Sequence, residues 1–311
     1  MIISRTPFRI SFFGGGTDYP AWYRRYGGTV LATTINKYCY ITCRYLPPFF
    51  EHRIRVVYSN IENCHTVAEI AHPAVREVLC HLRIERGVEI HHDGDLPARS
   101  GLGSSSAFTV GLLHALYALK GHMPGKRELA LESIHFEQER LKETVGSQDQ
   151  VLAAYGGFNQ IVFLPSGEFT VKPITLSRER TGELNDHLML FFTGINRTAS
   201  DIAQSYANDV EGKEGQMRRM AEMVEEGVAI LNGGEDLTRF GTLLDESWQA
   251  KRSLSTKVSN SHVEEIYARA LAAGAIGGKL IGAGGGGFML LFVRRSDQRS
   301  VREKLNTLLH V

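Results

Sequence analysis

The chain has 311 residues, 43% hydrophobic and 22% charged, enough for one large or two ordinary domains, each with its own core. Its 35 basic residues against 34 acidic give a net charge of +1, and so no electrostatic reason to expect nucleic acid or an anionic membrane as partner. No apolar run reaches the roughly 20 residues that span a bilayer, and residues 1–5 lack the ordered regions of a signal peptide, so the expected compartment is the cytoplasm.

In chain order, residues 2–4 and 8–13 read as two short strands broken by Pro7 and halted by Gly14-Gly15-Gly16. Residues 29–46, rich in Val, Ile, Thr and Tyr, predict a long strand. Residues 53–58 and 88–92 continue the β character around a helix over 73–82. Cys39 and Cys43 share one face of the long strand. With Cys64 and Cys80 they read as free structural thiols, because no second Cys or His pair follows at zinc-site spacing. The twelve histidines form neither HExxH nor HxH, and His91-His92 reads as a strand end.

After Gly103 the texture changes. Residues 104–120 are almost wholly apolar or small and stop at Gly121, which predicts a helix buried on most sides. Helices follow over 126–142 and 147–155, then strands over 158–164 and 188–193. Further helices are expected over 199–210, 216–231, 236–249 and 263–273, then a strand over 288–293 and a last helix near 300–309. Pro and Gly cluster over 165–173, which divides the chain into domains 1–168 and 169–311. No fixed-period repeat is present, so solenoids are excluded.

The densest chemical signal is DLPARSGLGSSSA, residues 95–107. Ser100, Gly101, Leu102, Gly103, Ser104, Ser105 and Ser106 lead directly into the buried helix. Glycines let backbone N–H groups approach a ligand, and a helix N-terminus adds unpaired donors and partial positive charge, so a polyphosphate sits there favourably. Capping alone needs one serine, not four. The run lacks GxxxxGK(S/T), so it is no Walker A loop, and its glycines are wrongly spaced for a dinucleotide fingerprint. A second cluster, Gly282 to Gly287 before the strand at 288, is costly in chain entropy. It fits either tight backbone packing or close approach of a ligand.

These clusters, with the opening TPFRISFFGGGTDY at residues 6–19, occur in the order of the three motifs of the GHMP kinases, and the chain resembles that family over almost its whole length. Within it the pattern is most similar to the D-glycero-D-manno-heptose 7-phosphate kinases, which share PxRxxxxGGGTD, VGxQDQ and GGKLxGAGGGGF. The resemblance implies an α+β, two-domain fold: an N-terminal domain like ribosomal S5 domain 2, a ferredoxin-like C-terminal domain, and the site between them. It also implies ATP and Mg²⁺, with transfer of the γ-phosphoryl group to the anomeric C1 hydroxyl of heptose 7-phosphate in nucleotide-activated heptose biosynthesis. The expected partners are small molecules only, and the expected assembly is a monomer or homodimer.

Phosphoryl transfer needs positioning and charge neutralisation more than covalent chemistry. Glu137 falls on the inward stripe of the helix over 126–142, where a carboxylate needs either a cation or a buried Arg or Lys. The family's metal site, matched by Ser106 and Glu137, favours the cation. Asp149 matches the family's catalytic aspartate, although a first-turn carboxylate also merely suits a helix dipole. Arg9 matches the arginine beside the transferred phosphoryl in galactokinases, and Asp18 the aspartate that holds sugar hydroxyls; locally each also fits a strand-surface arginine and a turn aspartate. Where galactokinases carry Glu-His this chain has Gly15-Gly16, which implies room for a bulkier substituent beside Thr17 and Asp18. Gly284 and Gly285 join the expected acceptor site, with Arg197, Lys251, Arg252 and Lys257 as candidate partners of a distal phosphate, each equally readable as an exposed charge. The competing expectations are a sugar 1-kinase of fucose, glucuronate, galactose or N-acetylhexosamine type, and a non-catalytic ATP- and sugar-binding regulator.

Overall fold

A computed structural model describes residues 1–98, 100–195, 211–234 and 236–311. The chain divides into two compact units that interleave in sequence. The first comprises Met1–Arg9, Thr34–Ala98 and Gly103–Gly156, and the second Ile10–Thr33, Arg99–Leu102 and Gly157–Val311. The helix expected over 199–210 lies outside the described residues.

Two long strands, β1 (Ile2–Phe13) and β2 (Gly28–Tyr45), contribute to both units and pair with each other. The expected break at Pro7 does not occur. β1 pairs only with β2 among the described strands, and an edge tolerates a residue that lacks a ladder donor. A seven-residue helix that the sequence reading missed, α1 (Pro20–Tyr26), starts on its proline and stops at Gly27, φ 73°.

In the first unit, the C-terminal part of β2 pairs antiparallel with β5 (Val88–Gly94). β5 runs parallel to β3 (Ile54–Val57), which in turn pairs with β4 (Ile61–Cys64). Four helices complete the unit: α2 (Pro73–His81), α3 (Ser104–Leu119), α4 (Lys126–His135) and α5 (Gln148–Tyr155). The apolar α3 is buried from Ser106 through Leu113, as its composition requires. Gly111 lets it lie close to β1: an added Cβ would stand 2.8 Å from Thr6 Oγ1, and Ser4 Oγ donates to the Gly111 carbonyl at 2.8 Å. The helix expected to run unbroken to residue 142 is α-helical only to His135. It then widens into a π-helical turn, Phe136–Arg140, a local defect common at functional sites.

In the second unit, the N-terminal part of β2 pairs with β6 (Phe158–Phe163), and β6 with β7 (Phe169–Pro173). A further antiparallel sheet has the order β11-β8-β10-β9, from β8 (Leu188–Phe192), β9 (Ala275–Leu280), β10 (Phe288–Val293) and β11 (Leu309–His310). Besides α1, its described helices are α6 (Arg178–His187), α7 (Glu214–Asn232), α8 (Thr238–Arg252), α9 (Ser261–Ala272) and α10 (Gln298–Lys304). Phe240 of α8 packs edge-on against Phe12 and Phe13. A pair of glycines sets α8 directly on β9: a Cβ at Gly277 would stand 2.1 Å from the Gly241 carbonyl oxygen. Backbone cannot yield as a flexible side chain does, so Gly277→Ala should lower stability by about 3 kcal/mol. A urea midpoint unchanged from wild type would refute this contact.

Candidate active site

The first unit brings together five residues singled out from the sequence: Arg9, Gly103, Ser106, Glu137 and Asp149. Arg9 ends the unit's part of β1, and its guanidinium grips Asp149 in the first turn of α5 through two parallel bonds, Nε to Oδ1 at 2.6 Å and Nη2 to Oδ2 at 2.5 Å. The Arg9 side chain is only 6% exposed and that of Asp149 23%. A planar fork on a carboxylate fixes both partners in orientation, which a lysine would not do. Gly103, in the left-handed conformation at φ 75°, caps α3 beside this pair. A Cβ there would lie 3.2 Å from Arg9 Cγ and 3.4 Å from Asp149 Oδ2, so glycine is required by both φ and space. With no cap side chain, Gly103 contributes no oxygen to the first-turn amides of α3.

Glu137 is fully buried on the π-helical turn, whereas Glu139 two residues on is exposed. Its Oε2 accepts from Ser106 Oγ at 2.8 Å and from Gln150 Nε2 at 2.5 Å. Its Oε1 has no hydrogen-bond partner. Thr109 stands nearby, but its hydroxyl donates to the Ser105 carbonyl at 3.2 Å. Burial pushes the Glu137 carboxyl up to about 8, with the Ser106, Thr109 and Gln150 side chains opposing and the Glu143 charge assisting. The donors to this carboxylate are a hydroxyl and an amide, so among the described residues the alternative of a buried Arg or Lys partner is not realised. A buried carboxylate oxygen without a partner beside a serine hydroxyl fits a divalent cation. Among the described residues no group of three or more His, Cys, Asp and Glu could hold one unaided, which suits an ion shared with phosphate oxygens and water.

Ser104 and Ser105 open α3 in the first unit, and the second unit holds the other expected residues. Ser100 and Gly101 pack on the second glycine cluster, and Leu102 beside them is buried. A Cβ at Gly101 would stand 2.5 Å from the Ile281 carbonyl oxygen, one at Gly282 2.7 Å from Gly101 Cα, and one at Gly287 2.2 Å from the Ser100 carbonyl oxygen. Of the two readings left open for that cluster, backbone packing is the one these contacts display. Gly285 N–H donates to the Val258 carbonyl at 2.8 Å, and Gly284 lies against the same residue. Lys251 is buried and donates to the Gly282 carbonyl oxygen. Arg197 lies outside the described residues.

Gly15, Gly16, Thr17 and Asp18 form a buried turn after β1. The Thr17 hydroxyl is directed to backbone, at 2.8 Å from the carbonyl oxygens of both Gly14 and Thr29, so it shapes the turn. Asp18 Oδ1 accepts from Gly16 N–H at 2.8 Å. The expected room at Gly16 is not open space: the Met217 thioether sulfur and methyl both lie 3.5 Å from where a Cβ would be. Sequence reasoning passed over Met217, whose only signal was its place on an amphipathic helix. It also passed over Gln150 as a partner of Glu137, which adjoins Asp149 in the QDQ triplet.

The sequence profile of the GHMP kinases N terminal domain matches residues 66–157, and that of the GHMP kinases C terminal region matches residues 223–310. A D-glycero-alpha-D-manno-heptose 7-phosphate kinase of Campylobacter jejuni is 31% identical, covering 94% of this chain and 89% of its own. The chain belongs to the GHMP kinase family. Its fold is that of GHMP kinase structures, and as a member of the family it is an ATP-dependent phosphotransferase. The crystal structure of a D-glycero-D-manno-heptose 1-phosphate kinase from Bacteriodes thetaiotaomicron superposes with a TM-score of 0.80 at 25% identity, over 100% of this chain and 95% of that one. A galactokinase from Roseiflexus sp. is 24% identical over 99% of this chain and 88% of its own.

The buried carboxyl of Glu137 makes the metal-free kinase sensitive to pH. Its folded value of about 8 lies above the ordinary 4.5, so the stability it confers is full below 4.5 and is lost as pH rises through 8. In EDTA, wild type should lose stability relative to Glu137→Gln between those limits, by at most about 1.4 kcal/mol per pH unit. Urea unfolding curves for the two proteins that stay parallel from pH 5 to 9 would refute the assignment.

Proposed function

We propose that this kinase transfers the γ-phosphoryl group of ATP to the anomeric C1 hydroxyl of D-glycero-D-manno-heptose 7-phosphate. The observation that carries the chemistry is the Arg9–Asp149 fork at the Gly103 end of α3. It joins one cation and one carboxylate, the two charges that transfer to a hydroxyl requires, beside a helix N-terminus. The similarity to the Campylobacter enzyme supports the choice of a heptose phosphate as acceptor.

In this reading the amides of residues 103–106 bind nucleotide phosphate. Ser106 and Glu137 would hold Mg²⁺, which neutralises charge on the phosphates when bound. Asp149, fixed by Arg9, accepts a hydrogen bond from the attacking hydroxyl and takes its proton late in the reaction. Arg9 stabilises charge on the transferred group. Asp18 receives sugar hydroxyls, and Met217 presents an apolar wall beside Gly16.

Asp149→Asn and Arg9→Ala should each lower kcat by about a hundredfold or more, while nucleotide Kd changes by less than about threefold. Equal losses in turnover and nucleotide affinity would remove both from the catalytic role. The related proteins carry names with the phosphate at position 7 and at position 1, so the acceptor assay has a clear form. Heptose 7-phosphate should yield the 1,7-bisphosphate, and unphosphorylated heptose should react at least about tenfold less efficiently. Turnover with heptose 1-phosphate alone, or with free fucose or galactose at equal efficiency, would overturn the acceptor assignment.

A further inference from the structure

The QDQ triplet places two consecutive side chains of α5 on different partners. Asp149 reaches Arg9, and Gln150 reaches Glu137. Gln150 is fully buried. With Glu137 ionised, as metal binding requires, its oxygens accept only, so the amide presents Nε2 and turns Oε1 elsewhere. That Oε1 is buried and has no hydrogen-bond partner, and neither has Glu137 Oε1. Two hydrogen-bonded side chains therefore each hold one buried oxygen without a donor. A lone unsatisfied carbonyl in an apolar interior costs roughly 1–3 kcal/mol, so a joined pair calls for an explanation.

We propose that Gln150 is a further positioning residue of the cation subsite. Its Nε2 ties down Glu137 Oε2, which leaves Oε1 as the face offered to the ion, while its own Oε1 accepts a hydrogen bond from a water in the ion's shell. This rests on the reading of Ser106 and Glu137 as the Mg²⁺ site and adds a residue to it. Magnesium keeps several waters and takes few protein ligands, so an amide oxygen one shell out suits it better than a second carboxylate. A second carboxylate at 150 would face Glu137 at hydrogen-bond distance and repel it. The same short helix then sets both the acceptor-side carboxylate and the metal-side carboxylate, so the two are fixed relative to one another by a single peptide unit.

The test compares ADP affinity in EDTA with ADP affinity in saturating Mg²⁺, by calorimetry, for wild type and Gln150→Met, a swap of similar volume without the oxygen. Gln150→Met should keep the metal-free Kd within about twofold and reduce the metal-dependent gain about tenfold, as loss of a metal site's outer-shell partner does. An undiminished gain would overturn the proposal. A crystal of the wild-type protein with Mn²⁺ and ADP decides the matter even if the variant fails to fold. Manganese beside Glu137 Oε1, with a bound water on Gln150 Oε1, is the expected result. Manganese at Glu137 with Gln150 Oε1 outside its water shell overturns the role of Gln150 alone. Manganese and phosphates remote from Glu137 would instead overturn the metal-site reading on which it rests.

Discussion

The site depends on one constraint, the burial of the Glu137 carboxylate with only half of its hydrogen-bonding capacity met. Desolvating an ionised carboxylate is unfavourable by several kcal/mol unless a cation or a full set of donors compensates. Ser106 and Gln150 supply donors to one oxygen, and among the described residues the other accepts no hydrogen bond. The fold nevertheless directs Glu137 inward. Glu137 lies on the π-helical turn Phe136–Arg140, where it and Phe136 are both buried. A chain selected for stability alone would place an apolar residue there, so the unmet oxygen marks function.

Around this acid the other charges are placed by backbone rather than by long flexible side chains. Gly103 admits the Arg9–Asp149 fork against the end of α3, and the first turns of two helices, α3 and α5, carry Ser106 and Asp149. In the second unit, glycines at 101, 282 and 287 let two stretches of main chain lie at distances that any Cβ would forbid. Lys251 holds the Gly282 carbonyl in that arrangement. Such contacts hold the main chain at Ser100 and Gly101 against the second glycine cluster.

Much of this was legible in the sequence because the signals were periodic or compositional. The uninterrupted apolar run of α3, the inward phase of Glu137 and the serine-glycine density before residue 104 each have one economical physical reading. What escaped was set by tertiary contact. Pro7 broke the predicted strand, yet β1 continues because it has one strand neighbour and can spare a donor. β9 went unread because Gly277 and Gly278 mask its β pattern; both are there so that α8 and β10 can approach. Gly15-Gly16 suggested open space, and only the fold shows that Met217 stands beside Gly16. The pairing of Gln150 with Glu137 likewise depends on how α5 meets the π-helical turn, which no local pattern encodes.

The most direct test of the central claim is the thermodynamic coupling between magnesium and nucleotide at Glu137. ADP is titrated calorimetrically with and without Mg²⁺ into wild type and Glu137→Gln. Mg²⁺ should tighten ADP binding at least about tenfold in wild type and less than about twofold in the variant, with metal-free affinities alike. Equal tightening in both proteins would contradict the role given to this carboxylate.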